Sequence, residues 1–435
     1  MPVKTLYLLA LAFALAATPA AAELHPPETR MIATVDAEQE RTVAMLEKWV
    51  NQNSGTLNLQ GVEAVGKMVR AELEPLGFTV ERIDNKAAGR AGHLVARHKG
   101  NGRGKRMLLI GHLDTVFEKD SPFQRWVRRG NDGEGPGAGD DKGGMAVMVA
   151  ALRAMRDAGT LKNADITVFL TGDEEDAGPL EITRKDLIAE GKKADVALDF
   201  EGLVQDEGRD MGSIARRSSD EWTLTATAQS GHSSGIFTPG SGSGAIYEAA
   251  RIIDAFRRGV REDKLTFNVG LIGGGATAEL DAGRVRINAT GKTNIIAGTA
   301  IARGDLRAIS PEQIARAKAK MTAIVSETLP GGKAEIIFHP DGYPPMAPTP
   351  GNSALLDRLN AVNRDMGLAE MGVLDPVKRG AADISFVAAD VDSLAGLGPA
   401  SRGDHAPGET VDIASIARQA KRAAILMTRL SAERR

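Results

Sequence analysis

Three short apolar runs in this chain each end in acidic or histidine side chains: RMLLIGHLD at 106–114, ITVFLTGDEE at 166–175 and VALDFEG at 196–202. An unalternated apolar run of that length suits a strand buried on both faces, and such strands belong to sheets covered by helices on both sides. Between the first two runs stands KGGMAVMVAALRAMRD, residues 142–157, a strong helix pattern ended by Gly159. Strand and helix in alternation predict an α/β fold, a mostly parallel sheet flanked by helices. In such sheets polar groups gather at the carboxyl ends of the strands. The fold itself would therefore bring these distant histidines and acids together.

Further elements follow the same logic. Residues 36–76 read as helical with a joint near 53–55, strands are expected at 79–83 and 93–96, and a helix at 181–190. From about Asp220 the pattern changes. EWTLTATAQSG alternates like a half-exposed strand, then come a helix at 243–258, strands in KLTFNVGLIGGG and TAIARGDLRAI, a helix at 311–327 and a strand in KAEIIFHP. That β-α-β-β-α-β order predicts an inserted ferredoxin-like module. The expected division is 1–22 signal peptide, 23–213 and 329–435 the two parts of a catalytic domain, and 214–328 an inserted dimerisation domain. Such a module leaves an edge strand and a helix surface for a partner, so a homodimer is expected.

The first 22 residues carry Lys4, an apolar run over 6–17 and Ala20, Ala21 and Ala22 before Glu23. This is the pattern of a cleaved signal peptide and places the mature chain in the periplasm or outside the cell. No later run has the roughly 20 apolar residues a membrane span needs, so no stable membrane association is expected after cleavage. The chain has no cysteine, which excludes thiol nucleophiles, iron–sulfur clusters and cysteine zinc sites. Its 54 basic and 57 acidic residues are interspersed, with a net charge of -3 and no basic tract for nucleic acid.

Strand alternation puts His112 and Asp114 on one face, where Asp114 can accept the ring N–H and set the tautomer. In GPGAGDDKGG the two aspartates precede a helix; they read either as turn acids or as a source of a carboxylate bridging two cations. Glu174 and Glu175 are adjacent like charges, costly in a closed cleft unless cations neutralise them. Glu201 closes the third apolar run, and His405 lies far downstream in SRGDHAPGE. Two imidazoles with at least three carboxylates suit a dinuclear zinc hydrolase.

Taken together, GHLDTV, GPGAGDDKGGMA, TGDEE, SGHSS, GKTNIIAGTAIARGDLR, RGAADISF and HAPGETVDI give the chain, from about Leu46 to Leu430, a family likeness. It resembles the zinc-dependent carboxypeptidases and aminoacylases of peptidase family M20, bacterial glutamate carboxypeptidases above all. The resemblance implies two Zn²⁺ per subunit held by His112, Asp140, Glu175, Glu201 and His405, with Asp140 bridging. It makes Asp114 the residue that orients His112, joins Asp140 to Asp141 by a cis peptide and makes Glu174 the general base. His232, often from the partner subunit, would stabilise charge on the carbonyl oxygen; Asn294 and Arg307 would hold substrate polar groups, and Gly380 would form the pocket wall. The implied reaction cleaves an amide by metal-activated water and releases a C-terminal amino acid from a small peptide, an N-acyl amino acid or a folate-like substrate. Two alternatives are an aminopeptidase or dipeptidase, with Asp173 or Asp176 holding the free amine, and a binding protein of the same fold without catalysis. One position departs from the pattern. Tyr343, in DGYPPM, stands where glutamate carboxypeptidases tend to carry an arginine, which removes one cationic clamp and weighs against strict glutamate preference.

Overall fold

The computed structural model describes residues 24–435. The expected signal peptide, 1–22, lies outside the described residues. Six strands form the main sheet: Thr79–Ile83 (β1), His93–His98 (β2), Arg106–His112 (β3), Asp165–Thr171 (β4), Val196–Asp199 (β5) and a late strand, Asp392–Leu394. Their spatial order is β1-β2-β4-β3-β5 and then the late strand. The four strands on the β4 side run parallel, whereas β2 pairs antiparallel with β4 and β1 antiparallel with β2. The fold is α/β, and its sheet is mixed. β1, with Glu81 and Arg82 exposed or half-exposed, has the charged character that protects a sheet edge. The late strand adds only three residues, DSL, too short for a period to show in the sequence.

Register then does the positioning. His112 lies beside Thr171, and Ile110 beside Asp199, so the chain leaves β3, β4 and β5 at one edge carrying His112, Glu174, Glu175 and Glu201. The helix Lys142–Asp157 is buried along nearly all its length. It packs against Pro26–Ala37, Gln39–Val50 and Ile413–Ala432. At Gly144 a Cβ would stand 1.9 Å from the Phe200 carbonyl oxygen, so only glycine lets the first helical turn close on the end of β5. The helical stretch expected at 36–76 is three helices, Pro26–Ala37, Gln39–Val50 and Leu59–Leu73. The last of these starts anew because the Asn58 side chain caps it, accepting from the Gly61 N–H. The helix expected at 181–190 is broken into Leu180–Thr183 and Lys185–Gly191, with Arg184 between them drawn into the core.

A second sheet is antiparallel. Asp220–Ala228 (β6), Leu271–Gly275 (β7), Thr299–Arg307 (β8) and Gly332–Phe338 (β9) lie in the order β7-β8-β6-β9, and the two-residue strand Thr266–Phe267 pairs with the far end of β8 as a fifth. Helices Ala245–Gly259 and Pro311–Ser326 pack on it. Its core centres on Trp222, edge-on to Phe256 at 5.7 Å, with the indole N–H donating to the Asp305 carbonyl at 3.1 Å. Because Trp222 pairs with Phe338 and Ala228 with Gly332, this sheet continues beyond residue 328, where the sequence pattern placed the end of the insert. The strand in KAEIIFHP belongs to it because that strand's alternating side chains complete the same face. Two connectors join the sheets and pair with each other: Arg216 bridges Met346 and Ser219 bridges Tyr343. No helix among the described residues is long and apolar enough to cross a membrane.

Candidate metal centre

His112 is buried at the end of β3, its Nε2 3.0 Å from Asp140 Oδ1. His405 sets its Nε2 3.0 Å from the other oxygen, Asp140 Oδ2, and 3.1 Å from Glu175 Oε2. Asp140 therefore presents one carboxylate oxygen to each imidazole. Ligand atoms of His112, Asp140 and Glu175 all lie within 4.8 Å of one another, a spacing that could hold a metal ion. His405 takes a left-handed φ of 64°, a strained backbone of the kind that concentrates at functional sites.

The turn that carries Asp140 is held from the far end of the chain. Glu409 accepts the N–H groups of Gly137, Gly139 and Asp140 at 3.1, 2.7 and 3.0 Å. Buried Lys142 donates to the Gln52 carbonyl at 3.0 Å. The Asp140–Asp141 peptide is cis, and Asp141 Oδ2 accepts the His112 N–H at 3.2 Å. Asp114 contacts the ring of His112 chiefly through its backbone: Nδ1 is 3.1 Å from the carbonyl oxygen and 3.4 Å from Oδ1. Its carboxylate instead accepts from the Thr56 hydroxyl at 2.6 Å and from the N–H groups of Glu174 and Glu175 at 3.0 and 3.1 Å. One aspartate thus orients an imidazole and fixes the turn bearing both glutamates.

Charge in this cluster is out of balance. Burial, and then the charge of Glu201, pushes the Glu174 carboxyl well above the usual carboxylate range. Burial raises Glu175 to about 7, and hydrogen bonds first to Asp140 and then to Glu175 push His405 up to about 11. Protons compensate for an excess of carboxylate, which is the condition that bound divalent cations relieve. The donor set of imidazole nitrogens and carboxylate oxygens without thiolate fits zinc.

Around this cluster opens a cleft of about 320 Å³ whose lining includes Asp140, Glu174, Glu201, Arg379, Gly380 and His405. Glu201 is held by Arg216 at 2.7 Å. A Cβ on Gly380 would meet no atom within 4 Å, so that wall is open. Beneath the cleft, buried Arg184 donates to Asp173 and Asp383 at 2.7 Å each and to the Tyr343 hydroxyl at 2.9 Å. Tyr343 in turn donates to the Glu174 carbonyl at 2.9 Å. Its phenol faces inward, supporting the glutamate turn.

The remaining expected site residues lie elsewhere. His232 is exposed and pairs in register with Ile295; its Nδ1 is 2.8 Å from the Ser234 hydroxyl. The Asn294 carbonyl accepts the Ser233 N–H at 3.0 Å, so His232 and Asn294 share one corner. Arg307 ends β8 and donates to Asp305 at 2.9 Å. Thr227 pairs with Thr299 at one end of the β6–β8 ladder and Asp220 with Leu306 at the other. The rise along β8 therefore puts roughly 26 Å between the His232 corner and Arg307. The resemblance groups Asn294 with Arg307 around one substrate, yet a single chain holds them apart, and none of the three lines the cleft. Thr56, Arg184, Arg216, Arg379 and Glu409 were missed by sequence reasoning. Of these, Glu409 carried a signal in HAPGE, four residues after His405, and Arg379 one as the first residue of RGAADISF.

The family model for peptidase family M20/M25/M40 matches residues 108–429. Carboxypeptidase G2 of Pseudomonas sp. (strain RS-16) is 30% identical over 410 residues, covering 91% of this chain and 90% of that protein. The chain belongs to peptidase family M20/M25/M40. A succinyl-diaminopimelate desuccinylase of Novosphingobium aromaticivorans is 35% identical over 183 residues, 39% of this chain and 46% of that one. Among solved structures, aminopeptidase PepT from Bacillus cereus superposes with a TM-score of 0.72 at 19% identity, covering 91% of this chain and 99% of that chain. At that identity the likeness speaks for the fold alone. Family membership together with the His112, Asp140 and Glu175 cluster makes this M20 member a metallo-hydrolase.

Proposed function

We propose that this M20 member is a di-zinc hydrolase that releases a C-terminal amino acid from a small peptide, an N-acyl amino acid or a folate-like substrate. The observation that carries this reading is Asp140, whose two oxygens each face a different imidazole at 3.0 Å. His112 and Glu201 would hold one zinc, His405 and Glu175 the other, with Asp140 shared. When bound, zinc supplies Lewis-acid polarisation of the scissile carbonyl and acidifies water. Glu174 takes the proton from the attacking water and delivers it to the leaving amine nitrogen, a dual task suited to a carboxyl with a raised pKa. Asp114 and Tyr343 keep the Glu174 backbone in place. Relatives named as a carboxypeptidase and a desuccinylase are consistent with this class.

His232 and Asn294 lie too far along the second sheet from Arg307 to meet one substrate within a single chain. We therefore read the second unit as a ferredoxin-like dimerisation module and assign His232 of the partner subunit to the developing oxyanion. Export with removal of residues 1–22 completes the proposal and places the enzyme in the periplasm or outside the cell. The aminopeptidase reading is disfavoured because its amine holders are engaged: Asp173 is sealed under Arg184, and Asp176 pairs with Arg90 at 3.0 Å. A cleavage panel on the zinc-reconstituted mature protein tests the proposal, using N-acyl-Glu, N-acyl-Ala, N-acyl-Leu, folate-type glutamates and unblocked dipeptides. Blocked substrates with a free carboxylate should be cleaved and should lose most of their rate when that carboxylate is amidated. Equal cleavage of the amides, or preference for free amines, would overturn it.

A further inference from the structure

The cleft wall beside Gly380 carries two arginines in very different states. Arg216 is fully committed: it donates to Asp199 at 3.0 Å, to the carbonyls of Gly380 and Ala381 at 2.9 and 3.2 Å, and pairs with Glu201 at 2.7 Å. Arg379 has one long contact, 3.5 Å from Nη2 to Glu201 Oε2, on a carboxylate that Arg216 already holds. Its Nε is buried with no hydrogen-bond partner. Only 13% of its side chain is exposed, and it lines both the metal cleft and an adjoining groove of about 350 Å³ that runs to Gln205 and Arg402. Neighbouring Lys378 pairs with Asp206 at 2.6 Å. Asp404, on the same groove, accepts from the Ser401 hydroxyl at 3.0 Å.

A guanidinium offers five donors in a planar fork that matches a carboxylate bidentately. Leaving such a group desolvated with a donor unused is unfavourable unless a ligand completes it. We propose that Arg379 binds a second carboxylate of the substrate, beyond the α-carboxylate of the leaving amino acid. The preferred substrate is then doubly anionic at neutral pH, with the extra carboxylate on either the acyl group or the leaving side chain. This inference rests on the hydrolytic reading above and deepens it. It also places a cation in the cleft on a different element from Tyr343, whose phenol is turned away onto Arg184.

Two matched substrate pairs test it on the zinc-loaded protein. N-succinyl-alanine against N-succinamoyl-alanine varies the acyl carboxylate, and N-acetyl-glutamate against N-acetyl-glutamine varies the leaving side chain. The wild type should favour the acid in one pair by at least about tenfold in kcat/KM, the scale of a charge-assisted hydrogen bond, and mostly through KM. In Arg379→Gln that acid-to-amide ratio should fall towards one, whereas a merely structural lesion would lower both members and keep the ratio. The pair that responds locates the carboxylate. Binding of the same pairs to the Glu174→Gln variant, measured by calorimetry, reads the preference without turnover. Cleavage with no acid preference in either pair, or a ratio unchanged by Arg379→Gln, overturns the inference. Failure to cleave any of the four substrates counts against the hydrolytic reading, and the calorimetric ratio then decides about Arg379 separately.

Discussion

At the carboxyl edge of the main sheet, His112 is 1% exposed and wedged between Asp114 and Asp140. At the corner of the second sheet, His232 is exposed, and its hydrogen-bond partner is Ser234 of its own turn. One imidazole is surrounded by carboxylates and committed to whatever cation or proton balances them. The other is held by Ser234 through Nδ1 alone. The same residue type is thus buried among acids where the main sheet ends and held out to solvent where a loop carries it.

Separating the chemistry of the first region from its metal binding should give the largest effect. Glu174→Gln keeps size and shape but cannot carry the proton, so turnover should fall by at least about 10²-fold with zinc content unchanged. Glu175→Gln should instead lose zinc, because its carboxylate belongs to the cation-holding cluster. Metal analysis showing the first variant empty and the second full would exchange the two roles.

Breaking the second region should cost nearly as much without touching the first. His232→Ala should lower kcat by about 10²-fold, the scale of one lost oxyanion donor, with zinc content and Tm unaltered. In the proposed homodimer, mixing His232→Ala with Glu174→Gln subunits at equal ratio would make half the dimers mixed, with one complete site in each. Roughly a quarter of wild-type activity should return if the histidine acts across subunits. Subunit exchange confirmed by mass with no recovery would confine His232 to its own subunit or remove it from the reaction.

The smallest expected effect lies where the connectors meet the active-site turn. Tyr343→Phe removes the hydroxyl that links Arg184 to the Glu174 carbonyl. The folded state should lose about 1 kcal/mol, on the scale of a net hydrogen bond, visible as a lower denaturation midpoint. Turnover should drop by a few fold with KM nearly constant, since the glutamate turn loosens while the substrate-holding groups stay. A change in KM alone would mean that Tyr343 touches substrate after all.

Much of the first region was legible because its information is local. Apolar runs ending in His112, Glu174, Glu175 and Glu201 define strands and their polar ends by composition alone, and a parallel sheet must align those ends. In the second unit the two helices and the four long strands of its sheet were legible for the same reason, from alternation and helix periodicity, whereas the hairpin of Thr277–Leu280 with Ile287–Thr290 was not. The three-residue strand Asp392–Leu394 was not, because it is shorter than any period it could display.

What the residues determined by themselves is the kind of chemistry: imidazoles and carboxylates without thiols, at strand ends, next to a helix with small residues at its start. What only the tertiary structure decided is who holds whom. Asp114 spends its carboxylate on backbone N–H groups from another strand end, Glu409 grips a turn some 270 positions earlier, Tyr343 faces Arg184, and Arg379 is left without a full set of partners. Each of these depends on a donor and an acceptor far apart in the chain. Hydrogen bonds act over about 3 Å, a distance that sequence separation does not encode.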